Sequence, residues 1–191
     1  MRLHGRMTIG TDLHPSYVAG TWKLDPTHSE ISFSVKHLAI SKVRGTFDSF
    51  DATIVTADDI HDSTIEATID VASVNTNQKD RDAHLRTSDF FLADEHPTMT
   101  FVSTKFDGTP DDFTVTGNLT LRGVTKEVVL KGEFGGITGD GYGQTKAGAT
   151  VSTKINRHDF GVSWNNALEA GGFTLGDDVT ITMDLQVVLQ P

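Results

Sequence analysis

The sequence predicts a single all-β domain closed into an antiparallel barrel. The first observation is a hydropathy period of two that recurs along the chain from Gly20 onward. The second is turn chemistry at the breaks in that period. The third is the number of strands that result, because so many strands must hide their edges and closure does so completely.

Ile31, Phe33 and Val35 alternate with Ser32, Ser34 and Lys36. Ile65, Ala67, Ile69 and Val71 alternate with Thr64, Glu66, Thr68 and Asp70, and Val179, Ile181, Met183, Leu185 and Val187 repeat the pattern near the end. Each run buries one face and wets the other, as antiparallel strands do and helix-covered parallel strands do not. Gly123-Val124 predicts a two-residue II′ hairpin with glycine at its first central position. Asp107 to Asp111, Gly139 to Gly143 and Gly176-Asp177 predict further turns. Asp25, standing before a proline, is expected to be extended or in a turn. About eight to ten strands follow from this spacing. Pattern alone leaves a sandwich open, and an eight-stranded barrel is the size at which side chains fill the interior or leave room for one ligand.

One stretch breaks the period. Gln78 to Arg86 favours helix, with Asn77 as cap, Asp80 and Asp82 in the first turn, and Asp82 spaced to pair with Arg86. A second short helix is predicted at Asn165 to Ala170, stopped by Gly171-Gly172. The segment Met1 to Tyr17 has no continuous apolar run. Residues 1–19 are therefore expected to form a flexible tail ahead of a barrel domain at 20–191, and the protein is expected in the cytoplasm.

Composition narrows the function. A formal net charge of −10 speaks against a nucleic-acid partner. With no run of about 18 apolar residues, no stable membrane insertion is expected. The absence of cysteine excludes disulfides, thiol catalysis and zinc–thiolate sites. The eight histidines show no HxH or HExxH spacing, so no metal and no other cofactor is expected. His28-Ser29 lacks the strand–turn–helix elbow of a serine hydrolase, and no glycine-rich loop has a phosphate-binding pattern. No catalytic residue, and no enzyme, is expected.

There are 11 phenylalanines against two tyrosines and two tryptophans. Such a set makes a wall without polar handles. Phe33, Phe47, Phe90, Phe91, Phe101 and Phe134 sit on apolar faces or beside the helical stretch, with Ala67, Ala147, Ala149 and Gly45 among them. The small residues are expected to leave room for a guest, although an ordinary core has the same composition. The charge-dense run Arg81 to Asp89 would either orient a headgroup at the barrel mouth or plug that end as a solvated helix.

Seven stretches, in this order, resemble the YceI family of lipid-binding barrels. They are W-x-L-D-P-x-H-S at Trp22 to Ser29, I-S-F-S-V-K-H-L at Ile31 to Leu38 and V-R-G-T-F-D-S-F at Val43 to Phe50. They continue with V-N-T-N-Q-K-D-R-D-A-H-L-R-T-S-D-F-F at Val74 to Phe91 and H-P-T-M-T-F-V-S-T at His96 to Thr104. G-N-L-T-L-R-G-V-T-K at Gly117 to Lys126 and R-H-D-F-G-V-S-W-N at Arg157 to Asn165 complete the set. The resemblance implies a lipocalin-like extended antiparallel barrel with a short helical insertion. It implies a polyisoprenoid, isoprenoid quinone or fatty acyl ligand inside, for binding, storage or transport, and it allows a homodimer. Carried over by position, the ligand wall would be Phe33, Val35, Phe47, Ile69, Phe90, Phe91, Met99, Phe101 and Leu130, with His84 and Arg86 near a headgroup. Two rival readings stay open: an isomerase or cyclase using the same cavity with His37 or His84, and a filled barrel with a structural or stress role.

Overall fold

A computed structural model describes residues 13–169 and 171–191. The elements are β1 (Gly20–Leu24), β2 (Glu30–His37), β3 (Ser41–Phe47), β4 (Phe50–Thr56), β5 (Thr64–Asp70), β6 (Val74–Asn75) and α1 (Lys79–Leu85). β7 (Thr98–Thr109), β8 (Asp112–Leu121), β9 (Val124–Gly139), β10 (Thr145–Asn156) and β11 (Leu175–Leu189) follow. All pairings are antiparallel, and the circuit β1-β4-β5-β7-β8-β9-β10-β11 closes through β11 back onto β1 as an eight-stranded barrel. The lipocalin-like barrel read from the sequence is the observed fold.

Two strand lines are broken. β11 pairs with β2 through Asp184↔Glu30 and with β1 from Val187↔Leu24 onward, so β1 and β2 are successive pieces of one edge. The break is the turn at Pro26–His28, where Asp25 is extended (φ −95, ψ 102) and caps the turn. Its carboxylate accepts from Thr27 N (3.0 Å), Thr27 Oγ1 (2.7 Å) and His28 Nδ1 (2.8 Å). Ser29 is spent here too: its hydroxyl accepts from Gln186 N at 2.9 Å. β3 and β4 form the next broken line. β4 continues into β5, whereas β3 meets only the two-residue β6, through Thr46↔Asn75 and Phe47↔Val74.

Several local expectations are corrected. The β8–β9 hairpin turns on Arg122-Gly123, not Gly123-Val124, because Leu121 pairs with Val124. Both central residues have positive φ (50° and 73°), which is type I′, the turn whose twist matches the flanking strands. Asp107 to Thr109 continue β7, and only Pro110-Asp111 turn. Gly176-Asp177 lie within β11, at an irregularity in its pairing with β2. Residues 165–169 are not helical, and Ala170 lies outside the described residues. There the Asn165 side chain binds the backbone of Leu175 twice, replacing helix bonds with a strand-like pairing (2.8 and 2.9 Å). Gln78, not Asn77, caps α1; Asn77 has φ 60. Asp82 turns from Arg86 to accept from Thr76 N and Oγ1 (2.8 and 2.5 Å).

Residues 1–12 of the expected tail lie outside the described residues. Tyr17, within the same expected tail, donates its hydroxyl to Ala57 O at 2.5 Å.

The small residues do not leave the space expected of them. A methyl on Gly45 would collide with the ring of its cross-strand partner Phe33 and with Thr76. One on Gly117 would meet the Phe101 ring and, at 2.6 Å, the Val102 carbonyl oxygen. Ala67 and Ala147 pack around Trp22, Leu24, Ala52 and Val187, which close one end of the barrel. Glycine and alanine here make room for neighbouring rings. Gly117→Ala is accordingly expected to destabilise the fold by about 1–3 kcal/mol in urea denaturation. Gly148→Ala, whose new methyl would meet nothing closer than 3.6 Å, should change it by less than about 0.5 kcal/mol.

Hydrogen bonds, first from Thr27 Oγ1 and then from His28, hold the Asp25 carboxyl down at about 2. A folded value below the ordinary one means that the fold favours the ionised form. That contribution is complete above the unfolded value near 3.8 and is lost as pH falls toward 2. Asp25→Ala should cost about 1 kcal/mol at neutral pH. The gap to the parent protein should narrow below pH 4 in denaturation curves taken at a series of pH values.

Candidate ligand-binding cavity

Inward positions form layers that the strand register orders. Nearest α1 stand His37 and Leu175, paired across β2 and β11. Next come Val43, Val35, Val179 and Ile155, in continuous register through β3, β2, β11 and β10. Then come Phe33 and Ile181, and below them Phe47, Ile31, Met183 and Val151. The first three layers line a cavity of about 240 Å³, with Phe47 also on its wall. Ile31, Met183 and Val151 pack into the core beneath.

The rest of the wall comes from outside the strand lines. Because β3 lacks a full partner on its outer side, α1 and the segment after it cover that gap. They bring Arg81, His84, Leu85, Phe90 and Phe91 to the cavity, and Met99 and Leu121 complete that side. Arg81 fixes the start of the helix by donating Nε to Thr76 Oγ1 (2.7 Å) and Nη2 to Thr76 O (2.9 Å). Arg122 holds the following segment by donating Nη1 to Ser88 O and Phe90 O, both at 2.6 Å. His84, Phe90 and Trp164 form a three-ring cluster with centroids 4.9–5.3 Å apart. The His84 Nε2 lies 2.7 Å from Asp89 Oδ2.

Six residues expected in the ligand wall line this cavity, Phe33, Val35, Phe47, Phe90, Phe91 and Met99, and so does His84, expected near a headgroup. Ile69, Phe101 and Leu130 point inward and are buried, but they pack in the filled part of the core, away from the cavity lining. Arg86 ends α1 as its C-cap and is exposed. Val43, Ile155, Val162, Trp164, Thr174, Leu175, Val179 and Ile181 were not anticipated. The alternation of β11 and β10 places Val179, Ile181 and Ile155 on the inner face but does not encode their depth.

Arg157 was not anticipated either. It is 4% exposed, yet among the described residues no carboxylate binds its guanidinium. Nε donates to Gly176 O (2.8 Å), and Nη1 donates to Val162 O (2.9 Å) and Trp164 O (2.8 Å). Burial pushes its pKa down, and nearby Asp177 opposes that shift. A guanidinium remains a cation throughout. Among the described residues no group of three histidine, aspartate or glutamate side chains gathers to hold a metal.

The geometry defines a closed eight-stranded barrel with one filled end and an apolar cavity beneath a helical cap. The chain belongs to the YceI-like family, whose domain model matches residues 22–187. A UPF0312 protein of Staphylococcus aureus (strain MSSA476) is 40% identical over 159 residues, covering 81% of this chain and 90% of that one. The Campylobacter jejuni YceI protein structure is similar at 33% identity and a TM-score of 0.69, covering 82% of this chain and 90% of that one. A polyisoprenoid binding domain from Saccharophagus degradans shares the fold at 18% identity and a TM-score of 0.66, covering 88% and 98%.

Because Arg122 ties the segment after α1 at two carbonyls, Arg122→Ala should loosen that wall selectively. Amide exchange across residues 86–96 is expected to quicken about tenfold or more, the change one charge-assisted hydrogen bond is worth, while β8–β10 stay protected.

Proposed function

We propose that the protein binds one molecule with a long apolar chain in this cavity and holds it for storage or carriage, acting as a binding protein and not as an enzyme. One observation carries the reading. A largely aliphatic and aromatic cavity persists inside a barrel whose other end is closed by clusters of buried side chains. A filled barrel with a purely structural role would have no use for that space, since unfilled apolar volume costs stability. The polyisoprenoid-binding description of the Saccharophagus degradans domain supports the same class of guest.

The energetics are those of area burial. Each methylene taken from water contributes about 0.8 kcal/mol. Roughly ten buried carbons would contribute about 8 kcal/mol before the cost of association is subtracted. Phe47 and the layer beneath it bound the chain, which lies in the half covered by α1. Polyisoprenoids, isoprenoid quinones and fatty acyl compounds share such a chain.

The test is solvent extraction of the purified protein followed by mass spectrometry, run beside Val35→Trp. The added indole would occupy the second layer, between Val43 and Val179. The parent protein is expected to release a stoichiometric apolar compound. The variant should release less than a tenth as much while keeping its thermal transition within a few degrees. Equal recovery from both would place the guest elsewhere.

A further inference from the structure

We propose that the molecule held in this cavity ends in an oxyanion, and that the Arg157 guanidinium receives it. This rests on the apolar-chain reading and adds the chemistry of the chain's end.

Three observations lead there. First, the guanidinium is buried and incompletely bonded. Nε and Nη1 use their hydrogens on three backbone carbonyls, whereas Nη2 is covered and meets no acceptor among the described residues. An unpaired buried donor costs about 1–3 kcal/mol, and more when it is charged. Second, among the described residues no acid bonds the cation: Asp177 acts on it only through space and is itself engaged with His158 Nε2 at 2.8 Å. Third, among the described residues the permanently charged side chains on the cavity wall are two guanidinium groups, Arg81 and Arg157, and no aspartate or glutamate lines it, in a chain of net charge −10.

Position agrees with charge. Arg157 directly follows β10 and reaches Gly176 at the start of β11, so it stands at the level of His37 and Leu175. That is the helix-covered end of the cavity. A chain directed toward Phe47 would leave its polar terminus at this level. One oxygen beside Nη2 would complete the guanidinium's bonding and supply the missing negative charge. A neutral terminus such as an alcohol could fill the hydrogen bond but not the charge. Nη2 is covered, so a neighbouring side chain must move for an oxygen to reach it.

The experiment compares three probes of equal chain length on the delipidated full chain by calorimetry: dodecanoate, dodecyl phosphate and dodecan-1-ol. At least one anion is expected to bind tenfold or more tightly than the alcohol. The tighter of the two would distinguish a carboxylate from a phosphate terminus. Equal affinities for all three would overturn the oxyanion site and leave the apolar cavity standing. No binding by any probe would overturn the cavity reading as well. Arg157→Met should abolish the preference for the anions over the alcohol; a preference retained in a folded variant overturns the assignment. Because three carbonyls lose their donor in that variant, it could fail to fold. A crystal structure of the unaltered protein with 12-bromododecanoate is therefore the second arm. Bromine is expected near Phe47 and the carboxylate at Nη2. A carboxylate seated on Arg81 or His84 instead would overturn the proposal.

Discussion

The pairing of one continuous strand, β11, with two successive pieces of another is the constraint on which the molecule depends. Its C-terminal end zips to β1 and closes the eight-stranded circuit. Its N-terminal portion zips to β2, which leads into β3 and the short β6. The chain must therefore step sideways between Leu24 and Glu30. The Asp25 cap, with its bonds to Thr27 and His28, and Ser29, bonded to Gln186, hold that step in place. A barrel built this way has unlike ends, because only the β1 side continues through β4 and β5 as a complete ladder.

The unlike ends explain why one half is solid and the other hollow. Where the ladder is complete, Trp22 sits against alanines and fills the lumen. Where β3 runs out of partners, strand hydrogen bonds cannot continue the wall, and the chain uses a helix. A seven-residue helix has little stability of its own. It is held by Thr76, a buried residue bonded by both Arg81 and Asp82, and the segment that follows it is held by Arg122. Side chains from a helix and its trailing loop meet the barrel less closely than interdigitating strand residues do. The cavity lies along that junction.

Much of this was legible in the sequence because period two reports facing directly. Phe33 and Val35 could be placed on the inner face by alternation alone, and so could Phe101 and Leu130. Period does not report depth, so the last two could not be assigned to the filled half. The role of Gly45 was misread for a related reason. A small residue implies space, but only the register shows that the Phe33 ring already occupies it. The hairpin at Arg122-Gly123 was displaced by one residue because arginine at positive φ has no propensity signal. Arg157 lay in the stretch Asn156 to Val162, which reads from the sequence as a polar corner between strands. Its burial arises from three carbonyls that come together only after β11 has docked.

Arg157 also shows how the closing of the barrel and the chemistry of the cavity are connected. Its bonds to Val162, Trp164 and Gly176 fix the segment between β10 and β11, whose Trp164 packs against His84 of α1. Backbone carbonyls can perform that fixing for any donor of the right shape. They carry only partial charge, however, and burying a full cation on them alone is costly. An aspartate placed nearby would reduce the cost and improve the structural role. Asp177 is close enough to influence the guanidinium but is turned to His158. A wall that carries the Arg81 and Arg157 guanidinium groups, and no acid among the described residues, leaves the buried Arg157 charge without a bonded acid at a cost in stability. That cost is offset when the charge is completed by something the chain does not itself contain, held in the cavity that Arg157 lines.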